Sequence, residues 1–258
     1  MSLNRKIADW RGQRVWIIGA SSGIGAALAE ALDRRGVRVA ISARRADKLQ
    51  ELADRMGRGT LVLPLDITKV DEITAADQRL SEAWGGYDLV VFMAGDYTAM
   101  HAWQLDLAVA RQMIEVNLMG FMNGLSVTIP RLMAAKAGGI ALVSSVAGYR
   151  GLPKSLVYGP TKAALINLAE TLYLDLHGKG LDVYVINPGF VKTPLTAQND
   201  FKMPALISPE EAAAEIIAGF EQGQFEIHFP KRFTRTLKLL RHLPYSLYFR
   251  TIRNMTRA

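Results

Sequence analysis

Cysteine is absent from this 258-residue chain, which excludes disulfides and thiolate metal sites and suits a reducing compartment. Its four histidines, His101, His177, His228 and His242, are too far apart for ligand spacing, so no metal site is expected. No apolar run approaches the ~20 residues that a membrane-spanning helix requires. The opening Met1-Ser-Leu-Asn-Arg-Lys6 lacks the apolar core of a secretion signal. A cytoplasmic protein is expected on these grounds. Acidic residues are missing from one stretch. Residues 231–258 carry Lys231, Arg232, Arg235, Lys238, Arg241, Arg250, Arg253 and Arg257 but no Asp or Glu. Setting those eight aside leaves 23 basic residues against 24 acidic ones, so the formal charge of +7 belongs to the tail. No DNA- or RNA-binding motif accompanies it, and nucleic acid is not an expected partner.

Half of the residues are hydrophobic and 21% are charged, the balance of a globular chain. The run Val15-Trp16-Ile17-Ile18 is short and wholly apolar, as a strand buried on both faces of a parallel sheet must be. Gly19-Ala-Ser-Ser-Gly-Ile-Gly25 follows, and Ala26 to Arg35 reads as a helix. Strand, glycine turn and helix together present backbone N–H groups to a phosphate at a helix N-terminus. The glycines allow the tight turn and a close approach by the phosphate. The spacing is Gly-x-x-x-Gly-x-Gly and not the commoner Gly-x-Gly-x-x-Gly.

The second strand, Val37 to Ile41, runs into Ser42-Ala43-Arg44-Arg45. In a dinucleotide-binding fold a carboxylate at this position holds the adenosine ribose. None is present here, and two guanidinium groups suit a 2′-phosphate instead. NADP(H) is therefore expected over NAD(H). Further strands are predicted at Leu61–Leu65, Leu89–Phe92, Ile140–Val143, Val183–Ile186 and Phe225–Phe229. Helices are predicted over 46–57, 69–84, 103–136, about 156–177 and from Ser208-Pro209. This alternation predicts a doubly wound α/β fold of seven parallel strands in a single domain over residues 1–230. Ligands in such folds sit beyond the carboxyl ends of the strands.

Tyr158-Gly-Pro-Thr-Lys162 is the sharpest chemical feature. Positions i and i+4 share a helix face, so the ammonium can sit beside the phenol and lower its pKa. A phenol that titrates closer to neutrality is a better general acid or base. The spacing alone is weak, but it is the one Tyr-x-x-x-Lys in the chain and follows the pair Ser144-Ser145 at a strand end. Pro160 is expected in the first helical turn, where its missing N–H does no harm.

These residues, with Asp66, Ala94-Gly95, Asn117 and Asn187-Pro188-Gly189 followed by Thr193, resemble the short-chain dehydrogenases/reductases across residues 10–228. The resemblance implies a Rossmann-type fold and hydride exchange between a nicotinamide cofactor and an alcohol or carbonyl. It implies that Tyr158 is the proton donor or acceptor and that Lys162 tunes it and holds the nicotinamide ribose. Ser145 would bind the substrate oxygen, Ser144 would be structural, and Asn117 would position a water in a relay to Lys162. Cofactor contacts would come from Gly19, Ser21, Ser22, Gly23, Ile24, Gly25, Arg44 and Arg45 at the phosphates and ribose. Asp66 and Ile67 would bracket the adenine, with Ala94 and Gly95 alongside, while Pro188, Gly189, Val191 and Thr193 would meet the nicotinamide end. The family usually has Asn where this chain has Met93, which makes the crevice wall more apolar. A homodimer or homotetramer is the corresponding expectation.

The stretch from about 190 to 207 reads as an apolar substrate loop, with Leu195, Phe201, Met203 and Leu206. A lipophilic small-molecule carbonyl or alcohol substrate is expected. A 3-oxoacyl thioester reductase, or a non-catalytic NADP(H)-binding sensor or scaffold, are the alternatives. In the basic extension 231–258, Phe233, Leu237 and Leu240 are spaced i, i+4, i+7, and Tyr248, Ile252 and Met255 repeat the pattern after Pro244. This stripe reads either as helices packed on the body or a partner subunit, or as peripheral contact with an anionic membrane surface.

Overall fold

The computed structural model describes residues 2–57, 59–199 and 203–256. Seven parallel strands form one sheet: β1 Arg14–Ile18, β2 Arg38–Ser42, β3 Leu61–Val62, β4 Leu89–Phe92, β5 Gly139–Val143, β6 Asp182–Pro188 and β7 Glu226–Phe229. Their spatial order is β3-β2-β1-β4-β5-β6-β7, so the direction of winding reverses between β1 and β4. All six neighbouring pairs are parallel, with Ile18 opposite both Ser42 and Phe92.

Alternation along the strands splits the core into two layers. Val15, Ile17, Val91 and Ile186 face the helices α1 Gly23–Asp33, α2 Ala46–Arg55 and α7 Pro209–Glu221. Trp16, Ile18, Phe92 and Leu142 face α3 Val70–Trp84, α5 Gly120–Ala135 and α6 Tyr158–Leu176. The apolar runs of the sequence exist because both faces of each inner strand are covered. Ser208 caps α7 in a reciprocal box with Glu211, and Pro209 occupies the first helical position.

Three elements differ from the sequence reading. β3 is two residues long and ends at Val62, yet the Leu63 and Leu65 amides still donate to the Ile41 and Ala43 carbonyls at 3.0 and 3.1 Å. Between them lies Pro64 on the sheet's edge, where a missing N–H is tolerated. The helix expected over 103–136 is broken into α4 Leu107–Ile114, a π-turn Glu115–Met119 and α5. α1 begins at Gly23, three residues before the expected Ala26, whereas α6 begins at Tyr158 and places Pro160 in the first turn as expected.

The extension forms α8 Lys231–Arg241 and α9 Tyr245–Thr256. Both pack on the body: Thr234, Leu237, Tyr248 and Ile252 are buried. Met255, expected on the same stripe, is instead 51% exposed, because α9 turns only Tyr248 and Ile252 inward. Arg150 fastens the pair. Its guanidinium donates to the Leu240, Arg241 and Leu243 carbonyls at 3.3, 3.0 and 2.7 Å and lies over the Tyr245 and Tyr248 rings. Tyr248 donates to the Gly151 carbonyl at 2.7 Å.

Candidate active site

A cleft of about 650 Å³ runs across the carboxyl ends of the strands, at the point where the winding reverses. Its floor is the turn after β1. Gly19 has φ +107°, and a Cβ there would lie 2.4 Å from the Ala94 nitrogen. A Cβ on Gly25 would lie 2.3 Å from the Gly19 carbonyl oxygen, and one on Gly23 2.9 Å from Thr193 Cγ2. The turn is thus closed on three sides without side chains, leaving its remaining face to the cleft. Ser22 sits at the N-cap of α1 but makes no side-chain cap, so the first amides of that helix lack the usual serine acceptor. Gly19→Ala is expected to lose at least about 3 kcal/mol of stability in urea unfolding, since it adds both overlap and a strained φ. A loss under about 1 kcal/mol would show that the turn yields more readily than these distances allow.

At one end of the cleft Arg45 donates to Ser21 and Ser22 Oγ at 3.0 and 3.3 Å, and Arg44 is exposed at the rim. Asp66 Oδ1 accepts from the Thr68 amide and hydroxyl, both at 2.9 Å, while Ile67 packs against Gly120 at the start of α5.

At the other end, β5 delivers Ser144 and Ser145 to the cleft, and the first two turns of α6 deliver Tyr158 and Lys162. Ser144 Oγ donates to the Lys162 carbonyl at 2.7 Å, joining strand end to helix. Ser145 Oγ accepts from the Ala147 amide at 3.1 Å and shares a hydrogen bond with the Tyr158 phenol. Lys162 is buried, its Nζ 3.0 Å from the Val143 carbonyl and 5.6 Å from the Tyr158 ring centroid.

Without a cofactor, burial governs both groups. Burial pushes Tyr158 up to about 12, and the hydrogen bond from Ser145 only partly opposes it. Burial likewise pushes Lys162 down to about 7. Tyr97 adds to the rise at Tyr158, and both groups are displaced toward their neutral forms because they sit inside the protein.

Asn117 is the one proposed site residue that does not line the cleft. It is fully buried on the π-turn, where its side chain accepts from the Asp96 amide at 2.7 Å. The same side chain donates to the Asp96 carbonyl at 2.8 Å and to Thr161 Oγ1 at 3.3 Å. It therefore ties the loop after β4 to α6 beside Tyr158, and a π-turn at such a place is a frequent mark of a functional site. Asp200, Phe201 and Lys202 of the substrate loop lie outside the described residues. The remainder of that loop bridges Val191 to Ile207, and Gln198 donates to the Tyr97 carbonyl at 3.1 Å.

Several participants escaped the sequence reading. Pro194 and Thr196 line the cleft immediately after Thr193, on either side of Leu195, which was expected in the substrate loop. The Tyr97 ring meets that of Tyr158 edge to face, with centroids 4.9 Å apart. Glu226 of β7 accepts from Tyr149 at 2.6 Å and from Asn187 at 2.8 Å, and pairs with Lys238. Burial opposes its ionisation, but the hydrogen bonds from Lys238, Tyr149 and Asn187 hold it below the ordinary carboxylate range. It joins the loop after Ser145, the segment before Gly189 and α8. A lone Glu in an apolar strand was its only sequence signal.

A doubly wound sheet with its crevice at this switch point belongs to the dinucleotide-binding class of α/β folds. Within that class the chain belongs to the short-chain dehydrogenase family, which it matches over residues 13–203. It is 38% identical to an uncharacterized oxidoreductase of Myxococcus xanthus over 245 residues, 94% of this chain and 97% of the relative. One from Staphylococcus haemolyticus is 30% identical across 84% of this chain and 94% of its own length. Among solved structures, a short-chain dehydrogenase from Burkholderia cenocepacia in complex with NADP superposes with a TM-score of 0.83. It is 26% identical, over 94% of this chain and 98% of that one. The protein is an oxidoreductase of this family.

Proposed function

We propose that the protein exchanges hydride between NADP(H) and the carbonyl or alcohol group of a lipophilic small molecule. The observation that carries this reading is the hydrogen-bonded Ser145–Tyr158 pair facing the cleft, with Lys162 buried behind it. The side-chain-free turn at Gly19, Gly23 and Gly25 fits a pyrophosphate, and the pair Arg44 and Arg45 fits a ribose 2′-phosphate. Asp66 and Ile67 would flank the adenine, and Pro188, Gly189 and Thr193 would hold the nicotinamide end. The nicotinamide, when bound, supplies or accepts the hydride.

The protein's own part is to place and protonate the substrate oxygen. Ser145 and Tyr158 both donate hydrogen bonds to it, stabilising the charge that develops there during reduction. Tyr158 then gives up its proton as general acid. With the phenol pushed up to about 12, Tyr158 holds that proton throughout the neutral range, as a donor to the substrate oxygen must. Met93, Pro194 and Leu195 give the cleft an apolar margin suited to a lipophilic substrate.

The test is a titration with NADPH and with NADH, followed by quenching of tryptophan fluorescence, for the protein and for Arg44→Ala. NADPH is expected to bind at least about tenfold tighter (about 1.4 kcal/mol), and the variant to lose that preference. Equal affinities in the unaltered protein would reject NADP(H), and no binding of either would reject the oxidoreductase mechanism.

A further inference from the structure

We propose that α8 and α9 dock the protein on an anionic lipid surface. Their inward faces are already satisfied by the body, so the question is what their outward faces meet. Arg232, Arg235, Arg241, Arg250 and Arg253 are all exposed, and none forms an ion pair among the described residues. With no acidic residue between 231 and 258, the surface has no internal counter-charge, and its complement is negative.

Charge is not its only property. Leu239 is 73% exposed and Tyr245 70%, with Leu247 and Phe249 each about half exposed. The Tyr245 and Phe249 rings stack with centroids 5.7 Å apart, forming an apolar ridge beside Arg250 and Arg253. A nucleic-acid surface would satisfy the arginines but not exposed Leu239 and Leu247. Aromatic rings and leucines set among arginines match a bilayer interface, where the rings sit at headgroup level and the guanidinium groups meet anionic lipid.

The position of the pair adds to the case. Arg150 and Gly151, to which α9 is fastened, belong to the segment that joins Ser145 to Tyr158. A protein docked through α9 therefore holds its catalytic loop close to the lipid boundary. The advantage to a lipophilic substrate rests on the function proposed above, whereas the docking itself does not.

The experiment is co-sedimentation of the full chain with vesicles of phosphatidylcholine alone and of phosphatidylcholine mixed with phosphatidylglycerol. Binding is expected to the mixed vesicles only, and to weaken as salt is raised. The exposed double variant Arg250→Glu/Arg253→Glu, checked for folding by circular dichroism, is expected to bind at least roughly tenfold more weakly. Phe249→Ser is expected to weaken binding as well. Failure to pellet with mixed vesicles, equal pelleting with both kinds, or indifference to the arginine reversals would overturn the proposal. So would variants that change only the mass measured by light scattering, because a second copy of the chain would then cover this face.

Discussion

Replacing Tyr158 with Phe is expected to lower turnover by about a thousandfold while NADPH affinity stays within roughly twofold. The substitution keeps the ring, and with it the edge-to-face contact with Tyr97. It removes only the hydroxyl that is bonded to Ser145 and faces the cleft. Loss of a general acid commonly lowers rates by about 10²–10⁴-fold, and Tyr158 is protonated at neutral pH and faces the cleft. The measurement is NADPH oxidation at 340 nm with whichever carbonyl compound the unaltered protein reduces, paired with a fluorescence titration of the cofactor. A variant that retains more than a tenth of the rate would remove Tyr158 from the proton step.

Replacing Lys162 with Met is expected to abolish activity and yet to make the protein more stable at neutral pH. Burial lowers this amine from 10.5 to about 7, so the folded protein resists a charge that the unfolded chain carries freely. Between about pH 7 and 10.5 the unfolded state holds a proton that the folded state has released. Stability therefore rises with pH across that window and is lost again as pH falls toward 7. Met carries no such penalty, at the expense of the Lys162 hydrogen bond to the Val143 carbonyl. Relief of desolvation, about 5 kcal/mol from a shift of that size, exceeds the roughly 1–3 kcal/mol of an orphaned carbonyl. The net gain is about 2 kcal/mol, or a Tm higher by about 5 °C at pH 7. The gap should close as the pH approaches 10. A lower Tm in the variant at pH 7 would mean that Lys162 is held by more than its burial reveals.

Much of the site was legible in the sequence. Gly19, Gly25 and the pair at 158 and 162 are demanded by local geometry, a turn without Cβ atoms and a helix face, and such demands leave a mark at fixed spacing. The strands were legible for a similar reason, because burial on both faces leaves continuous apolar runs such as Val15 to Ile18. What the sequence hid depends on contacts between distant segments. Glu226 gathers Tyr149, Asn187 and Lys238 from three separate elements, and no local pattern announces it. The π-turn at Asn117 was equally hidden, since one extra residue in a helical turn barely alters the periodicity of a long helix. Spacing likewise shows that Lys162 lies near Tyr158, but not that both are buried.

Arg150 has one more consequence. A single guanidinium holds three carbonyls at the end of α8 and two rings of α9, while α8 has its own anchorage through Lys238 and Thr234. α9 in turn has its own contacts with the body, the Tyr248 hydrogen bond to the Gly151 carbonyl and the burial of Tyr248 and Ile252. The two residues that hold α9 by polar contacts, Arg150 and Gly151, stand five and six residues beyond Ser145. Whatever moves α9 therefore pulls on the loop that follows Ser145.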